Sequence, residues 1–166
     1  MKKILAALLL LSIAINLFAC TQPPKIEVSV YFYYPAKTIS YSSQDGVIAP
    51  EKRESKDFEN DPTGLLDLYL QGPMQNTLQN PFPKDLSVRS YAVLDTEVIL
   101  ELSPQFSEIT GLELTLACAS LGKTIFRMTD TEKLTIITEG IAQPQVIYAN
   151  DLLFEDIPAE TTTPKE

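Results

Sequence analysis

The chain has 166 residues, with 22 acidic and 13 basic side chains and a formal net charge of −9. Because this charge repels phosphate backbones and anionic lipid head groups, we expect no nucleic-acid partner. The sequence contains no histidine, which removes the commonest general base and the commonest metal ligand. We therefore expect no cofactor, no metal site and no Ser–His or Cys–His catalytic set.

Residues 1–20 have the pattern of an export signal. Lys2 and Lys3 precede an apolar run at 5–15 that is too short to span a bilayer. The run ends in Leu-Phe-Ala-Cys at 17–20, which resembles the lipobox of bacterial lipoproteins. The resemblance implies lipidation of Cys20, with palmitate or similar acyl chains, and cleavage before it. The alternative is an ordinary signal peptide with an incidental cysteine.

The lipobox resemblance implies a protein anchored to the outer face of the cytoplasmic membrane. Residues 21–25 contain two prolines and are interpreted as an extended tether. Residues 26–154 are long enough for one domain with its own core. Residues 155–166, rich in threonine and acidic side chains, are predicted to form a disordered tail.

The first half of the domain combines one strand and one helix. Alternating and aromatic residues predict a strand at 26–34, and the polar segment 36–61 is predicted to be a solvated loop, at most with an edge strand. Asp61 followed by Pro62 is a helix start, and Gly72 with Pro73 ends that helix.

The second half contains a hairpin, a longer helix and two further strands. Residues 86–94 and 97–102 form the predicted hairpin, with its turn at Asp95 and Thr96. Alternation places five residues of its first strand on one face: Leu86, Val88, Ser90, Ala92 and Leu94. A helix follows from Leu112 to about Met128, with its core stripe at Leu114, Cys118, Leu121, Ile125 and Met128.

Strands at 133–138 and 145–149 complete the predicted domain. The order β–α–β–β–α–β predicts an α+β fold, a two-layer α/β sandwich with one mixed sheet and both helices on one face.

Several segments in this order resemble the GerMN domain family of sporulation and spore-germination proteins. They are VYFYYP at 30–35, PEKR at 50–53, LLDLYLQGP at 65–73, PFP at 81–83, ASLGKTI at 119–125 and LTIITEG at 134–140. The resemblance implies an extracytoplasmic lipoprotein domain without established catalytic residues. It also implies a protein-interaction or scaffold role in envelope, sporulation or germination assembly, with envelope proteins or other copies of the chain as partners.

Four tyrosines mark the predicted partner surface, since clustered tyrosines are common at interfaces. They are Tyr31, Tyr33, Tyr34 and Tyr41. The alternative for these residues is packing within the sheet. The alternative for the whole protein is a ligand-binding lipoprotein that recognises a cell-wall fragment or small solute, and it predicts a concave pocket with convergent polar groups.

Two short motifs permit an enzymatic interpretation. Ser120 and Lys123 have the spacing of the serine–lysine pair of penicillin-binding enzymes, but the partner motifs of that class are missing. Gly122-Lys123-Thr124 resembles the end of a phosphate-binding loop, yet Ala117 occupies the position of its first glycine. Cys118 lies in the helical core stripe, which favours a buried apolar role over a nucleophilic one. We therefore predict that the protein is not an enzyme.

Overall fold

The computed structural model describes residues 28–38, 47–55, 61–140 and 142–152. Its strands and α-helices follow the chain as β1 (Val28–Pro35), β2 (Ile48–Ser55), α1 (Pro62–Leu70), β3 (Val88–Leu94), β4 (Glu97–Leu102), α2 (Gly111–Met128), β5 (Lys133–Thr138) and β6 (Gln145–Tyr148). Short 3₁₀ turns occupy Pro104–Glu108 and Ala149–Asp151. The α+β class is confirmed, and the order of elements agrees with the prediction except for the additional strand β2.

The strands lie in two sheets, where the sequence predicted one. Strands β1 and β2 form an antiparallel pair, and the other four are arranged in the order β3-β4-β5-β6. Within the larger sheet β4 and β5 are parallel, while the outer pairs are antiparallel, so this sheet is mixed as predicted. The α2 crossover joins β4 to β5, as a parallel pair requires.

One hydrophobic core joins both sheets and both helices. It lies on one face of the larger sheet, where alternate residues of β4 and β5 are buried. Both helices add apolar side chains to the same cluster, which places them on one side of this sheet. The principal contributors are Val98, Leu100, Leu102, Leu134 and Ile136 from the sheet, Leu65, Leu66 and Tyr69 from α1, and Ala117, Leu121 and Ile125 from α2.

The ends of α1 follow from its sequence. The Asp61 carboxylate accepts a hydrogen bond from the Gly64 amide at 3.0 Å, and Pro62 occupies the first turn, where its missing N–H costs nothing. Beyond the helix, Gly72 has φ of +103°, a left-handed conformation that favours glycine. The predicted start and stop of this helix are therefore confirmed.

A β-bulge changes which side of β3 faces the core. The register with β4 shifts between Val88 and Ser90, so Tyr91 pairs with Leu100 on the core side. Ser90, Ala92 and Leu94 are exposed, and the prediction that they share an inward face with Leu86 and Val88 is wrong. One extra residue in a strand reverses the direction of every side chain after it.

Candidate functional site

The structure describes three of the five predicted site residues. Cys20, the predicted lipidation site, and Tyr41, one of the four interface tyrosines, lie outside the described residues. The predicted tether at 21–25 and tail at 155–166 also lie outside them. Among the described residues, no helix is long and apolar enough to cross a membrane.

The three remaining tyrosines belong to β1 and are largely internal. Tyr34 is fully buried and Tyr33 is 5% exposed, so the predicted partner surface does not include their side chains. Tyr31 is partly exposed, and the Arg127 guanidinium of α2 lies 5.9 Å from the centre of its ring. Sheet packing, the alternative left open by the sequence, therefore describes Tyr33 and Tyr34.

Tyr34 and Tyr69 join β1 to α1 through two reciprocal hydrogen bonds. The Tyr34 hydroxyl donates to the Tyr69 carbonyl oxygen at 2.7 Å, and the Tyr69 hydroxyl donates to the Tyr33 carbonyl oxygen at 2.8 Å. On the α2 side, the Tyr33 amide donates to the Thr124 hydroxyl at 3.0 Å. Burial raises the pKa of both phenols well above the usual value, so both remain neutral donors at physiological pH.

A buried ion pair, which was not predicted from the sequence, lies beside these tyrosines. Glu51 and Arg53 of β2 are 2% and 9% exposed, and Arg53 Nε donates to Glu51 Oε1 at 2.6 Å. The second Glu51 oxygen accepts from the Gln75 amide at 2.7 Å. Arg53 Nη2 donates to the Gly72 carbonyl oxygen at 2.7 Å, and the guanidinium lies 5.0 Å from the centre of the Phe32 ring. Each charge is thus paired and hydrogen-bonded, as burial requires.

Three of the six segments that carry the family resemblance meet at this ion pair. VYFYYP supplies β1, PEKR supplies the two charges, and LLDLYLQGP supplies Tyr69 and the Gly72 carbonyl. Their side chains hold β1, β2 and the end of α1 together. These three segments therefore contribute to a structural core.

The two residues of the enzymatic alternative have different environments. Ser120 is fully buried, so its hydroxyl has no access to a substrate in this conformation. The Lys123 ammonium lies 5.4 Å from the centre of the Tyr33 ring, where it makes a cation–π contact. Among the described residues, no group of three His, Cys, Asp or Glu side chains is arranged to hold a metal ion.

Cys118 lies in the buried stripe of α2, and burial raises the pKa of its thiol to about 11. We expect its reaction with a disulfide reagent at pH 8 to be roughly 100-fold slower in the folded than in the unfolded chain, because the thiolate is correspondingly scarce. The full chain with Cys20→Ala isolates this thiol, and the reaction is followed with and without urea. A native rate equal to the urea rate would contradict the burial.

The raised pKa of Cys118 makes the free energy of unfolding depend on pH. The unfolded thiol loses its proton near its ordinary pKa of 9.0, whereas the folded thiol keeps it until about 11. Stability therefore falls as the pH rises between these values, and Cys118 adds no pH dependence at neutral pH.

A concavity of about 430 Å³ lies at the C-terminal end of α2, against the tip of the β3–β4 hairpin. Tyr91, Val93 and Met128 are among its apolar lining residues, and the exposed residues Asp95 and Asp130 also line it. Its volume is within the range of about 300–1,000 Å³ that small-molecule sites occupy. Partial burial raises the pKa of Tyr91 to about 12, so its ring is uncharged at neutral pH. The ligand-binding alternative, which requires polar groups that converge on such a concavity, stays a prediction.

Comparison with known proteins identifies the fold. No model of a known protein family matches the chain, and no curated protein matches it. The structure of the tandem GerMN domains of the sporulation protein GerM from Bacillus subtilis aligns with a TM-score of 0.56 at 18% identity, covering 75% of this chain and 43% of that one. The first GerMN domain of the same protein aligns with a TM-score of 0.54 at 18% identity, covering 68% of this chain and 84% of that one.

The chain thus spans less than half the length of the tandem structure. Its likeness to both structures confirms, at the level of the fold, the resemblance that the sequence segments indicated. The chain has a GerMN-like fold.

Proposed function

We propose that this protein is a lipid-anchored, extracytoplasmic interaction module that acts in cell-envelope or sporulation assembly. The observation that carries the proposal is the GerMN-like fold, which the chain shares with domains of a sporulation protein. The role we propose for this fold is the binding and positioning of other proteins. Fold likeness alone does not specify function, and the proposal needs its own test.

The proposed anchor supports the same role. Each buried methylene of an acyl chain contributes about 0.8 kcal/mol, so two or three chains on Cys20 hold the protein firmly at the membrane. Without Lys2 and Lys3 the chain keeps 11 basic and 22 acidic residues, a net charge of −11. This charge disfavours contact with anionic head groups and leaves the domain free to meet other proteins.

The anchor is tested by metabolic labelling with an alkyne analogue of palmitate. We expect label on the wild-type chain and on Cys118→Ala, and none on Cys20→Ala. Because the chain has two cysteines, Cys118→Ala is the matched control. Label that persists in Cys20→Ala would overturn the lipidation assignment.

The interaction role is tested by affinity capture from the protein's own membranes. We expect the anchored chain to recover envelope or sporulation proteins that Cys20→Ala does not recover, as identified by mass spectrometry. Equal recovery by both forms would contradict a role for the anchor. Recovery of no protein by either form would overturn the interaction proposal.

A further inference from the structure

We propose that the outer face of the four-stranded sheet binds a second copy of this chain across a two-fold axis. This inference rests on the proposed interaction function and names one partner. The outer face is the side of the sheet that points away from the hydrophobic core. Its residues are Ser90, Ala92 and Leu94 of β3, Glu97, Ile99 and Glu101 of β4, Lys133, Thr135 and Ile137 of β5, and Val146 and Tyr148 of β6.

The outer face has apolar side chains on all four strands. Alternate residues of β4 and β5 are buried in the core, and the residues between them point outward. Leu94 is 58% exposed and Tyr148 is 46% exposed, while Val146 and Ile137 are 45% and 40% exposed. Apolar surface that continues across neighbouring strands in this way is typical of a protein contact site.

The outer face carries little of the net charge of the chain. Without Lys2 and Lys3 the chain has a net charge of −11, so its copies repel one another. The outer face holds two carboxylates, of Glu97 and Glu101, and one ammonium, of Lys133, which give it a net charge of −1. A second copy therefore meets less repulsion at this face than the charge of the whole chain implies.

The two central strands make the outer face complementary to itself. In the parallel register Glu97 of β4 lies opposite Lys133 of β5, and their side chains are 3.0 Å apart. A two-fold axis that runs between these strands and parallel to them places β4 of one copy over β5 of the other. Glu97 of each copy then faces Lys133 of the other copy, which gives two equivalent ion pairs. Aligned sheets pack about 10 Å apart, a distance that these two long side chains span together.

The outer strands match in the same arrangement. The rotation places β3 of one copy over β6 of the other. Leu94 and Tyr148 lie in the same row of the sheet as the central ion pair, so Leu94 of one copy meets Tyr148 of the other. Ala92 and Val146 lie together in the next row and meet in the same way. Apolar side chains thus contact apolar ones at the edges, and opposite charges meet in the middle.

The size of the outer face makes this contact weak in solution. Four strands about 4.8 Å apart, each roughly six residues long at about 3.3 Å per residue, cover about 400 Å². A stable interface buries about 800 Å² on each partner. The contact therefore needs the high local concentration that anchoring provides. A two-fold rotation keeps both Cys20 residues at the same height along the axis, so both anchors reach one membrane.

The terminal segments of the chain are attached on the other side of the sheet. Leu152, the last described residue, lies against Gly122 of α2. The first described strand, β1, is joined to α2 by the hydrogen bond from the Tyr33 amide to the Thr124 hydroxyl. Because α2 packs on the core side, segments 1–27 and 153–166 both adjoin elements on that side. Their attachment favours a second copy as the occupant of the outer face.

The location of the contact is tested by cysteine crosslinking of the full chain in its own membranes. Thr135 lies beside the proposed axis, so we expect a short bismaleimide to link Thr135→Cys to the same cysteine of a second copy. Thr115→Cys makes the same substitution at an exposed site on α2 and measures random encounters, and the chain without an added cysteine gives the background. No more homodimer from Thr135→Cys than from Thr115→Cys, or a crosslink to a different protein instead, would overturn the proposal.

Charge swaps test the two-fold arrangement, with energy transfer between chains labelled at the C-terminus in phosphatidylcholine vesicles. We expect Glu97→Lys and Lys133→Glu each to weaken self-association by about 2- to 30-fold, since each removes two solvent-accessible ion pairs. An equal mixture of the two variants should recover association, because opposite charges then face each other again. Glu132→Lys makes the same charge change at an exposed position outside the outer face, so its mixture with Lys133→Glu should not recover. Equal recovery in both mixtures would reduce the effect to net charge and overturn the arrangement.

Affinity capture separates this inference from the proposed function. If the wild-type chain recovers envelope or sporulation proteins but Thr135→Cys gives no specific homodimer, the inference fails and the proposed function stands. If the homodimer forms and responds to the charge swaps while capture recovers no other protein, the inference stands. In that case the part of the proposed function that concerns other proteins fails.

Discussion

Replacement of Glu51 by alanine is expected to lower the free energy of unfolding by about 3–5 kcal/mol, the cost of leaving a buried charge without its partner. Arg53 would keep its bond to the Gly72 carbonyl and its position over the Phe32 ring, but its positive charge would have no counterion. The Gln75 amide would also lose its acceptor. Urea unfolding followed by circular dichroism measures the change.

Glu54→Ala is the matched control for this prediction. Glu54 is an exposed residue of the same strand, and its carboxylate contacts the Ser29 hydroxyl at 3.1 Å and the Lys52 ammonium at 3.9 Å. Such surface contacts contribute little, so we expect a loss below about 1 kcal/mol. Similar losses for Glu51→Ala and Glu54→Ala would show that the buried pair is not the source of stability at this strand.

A double variant distinguishes the loss of the ion pair from the cost of leaving one buried charge without its partner. Glu51→Met with Arg53→Met removes both charges and fills much of the space with apolar atoms, so we expect it to be more stable than Glu51→Ala alone. The difference between this double variant and the sum of Glu51→Met and Arg53→Met, each made alone, gives the coupling energy of the two side chains. A double variant that loses the sum of both single effects would contradict direct coupling.

This pair also marks the limit of what could be predicted from the sequence. PEKR at 50–53 lies in a polar segment that alternation and charge identify as a solvated loop. The segment forms a strand because its charges are satisfied by Gly72, Gln75 and Tyr34, which are 19–24 residues away in the sequence. Local pattern carries no information about such distant partners. The sequence therefore allowed an edge strand only as an addition to a loop, and the burial of its charges was not predicted.

The helices, by contrast, were predicted because their signals are local. Asp61 and Pro62 mark the start of α1, and the spacing of Leu121 and Ile125 places both on the buried face of α2. The parallel pairing of β4 and β5 follows from the helix between them. The inward turn of Tyr91 was missed because a bulge has no fixed residue signature, and the concavity near Tyr91 was missed with it.

Replacement of Tyr69 by alanine is expected to destabilise the fold by about 3–5 kcal/mol, the cost of removing a fully buried aromatic side chain. Tyr69 is 0% exposed, and its ring centre lies 5.2 Å from that of Phe32, 4.9 Å from that of Tyr34 and 5.1 Å from that of Phe82. Alanine would leave a cavity between β1, α1 and the turn that contains Phe82. Urea unfolding measures the loss.

One further variant separates the contribution of the Tyr69 ring to stability from that of its hydroxyl, and a second variant is a control at an exposed tyrosine. Tyr69→Phe keeps the ring but leaves the Tyr33 carbonyl oxygen without its 2.8 Å donor, so we expect a smaller loss of about 1–2 kcal/mol. Tyr148→Ala truncates a tyrosine of β6 that is 46% exposed, and its effect should remain below about 1 kcal/mol. If Tyr69→Phe were as destabilising as Tyr69→Ala, the hydroxyl bond between α1 and β1 would be the principal contribution, and the aromatic cluster would add little. The expected order, Tyr69→Ala above Tyr69→Phe above Tyr148→Ala, instead makes ring packing the main reason that β1 stays joined to α1.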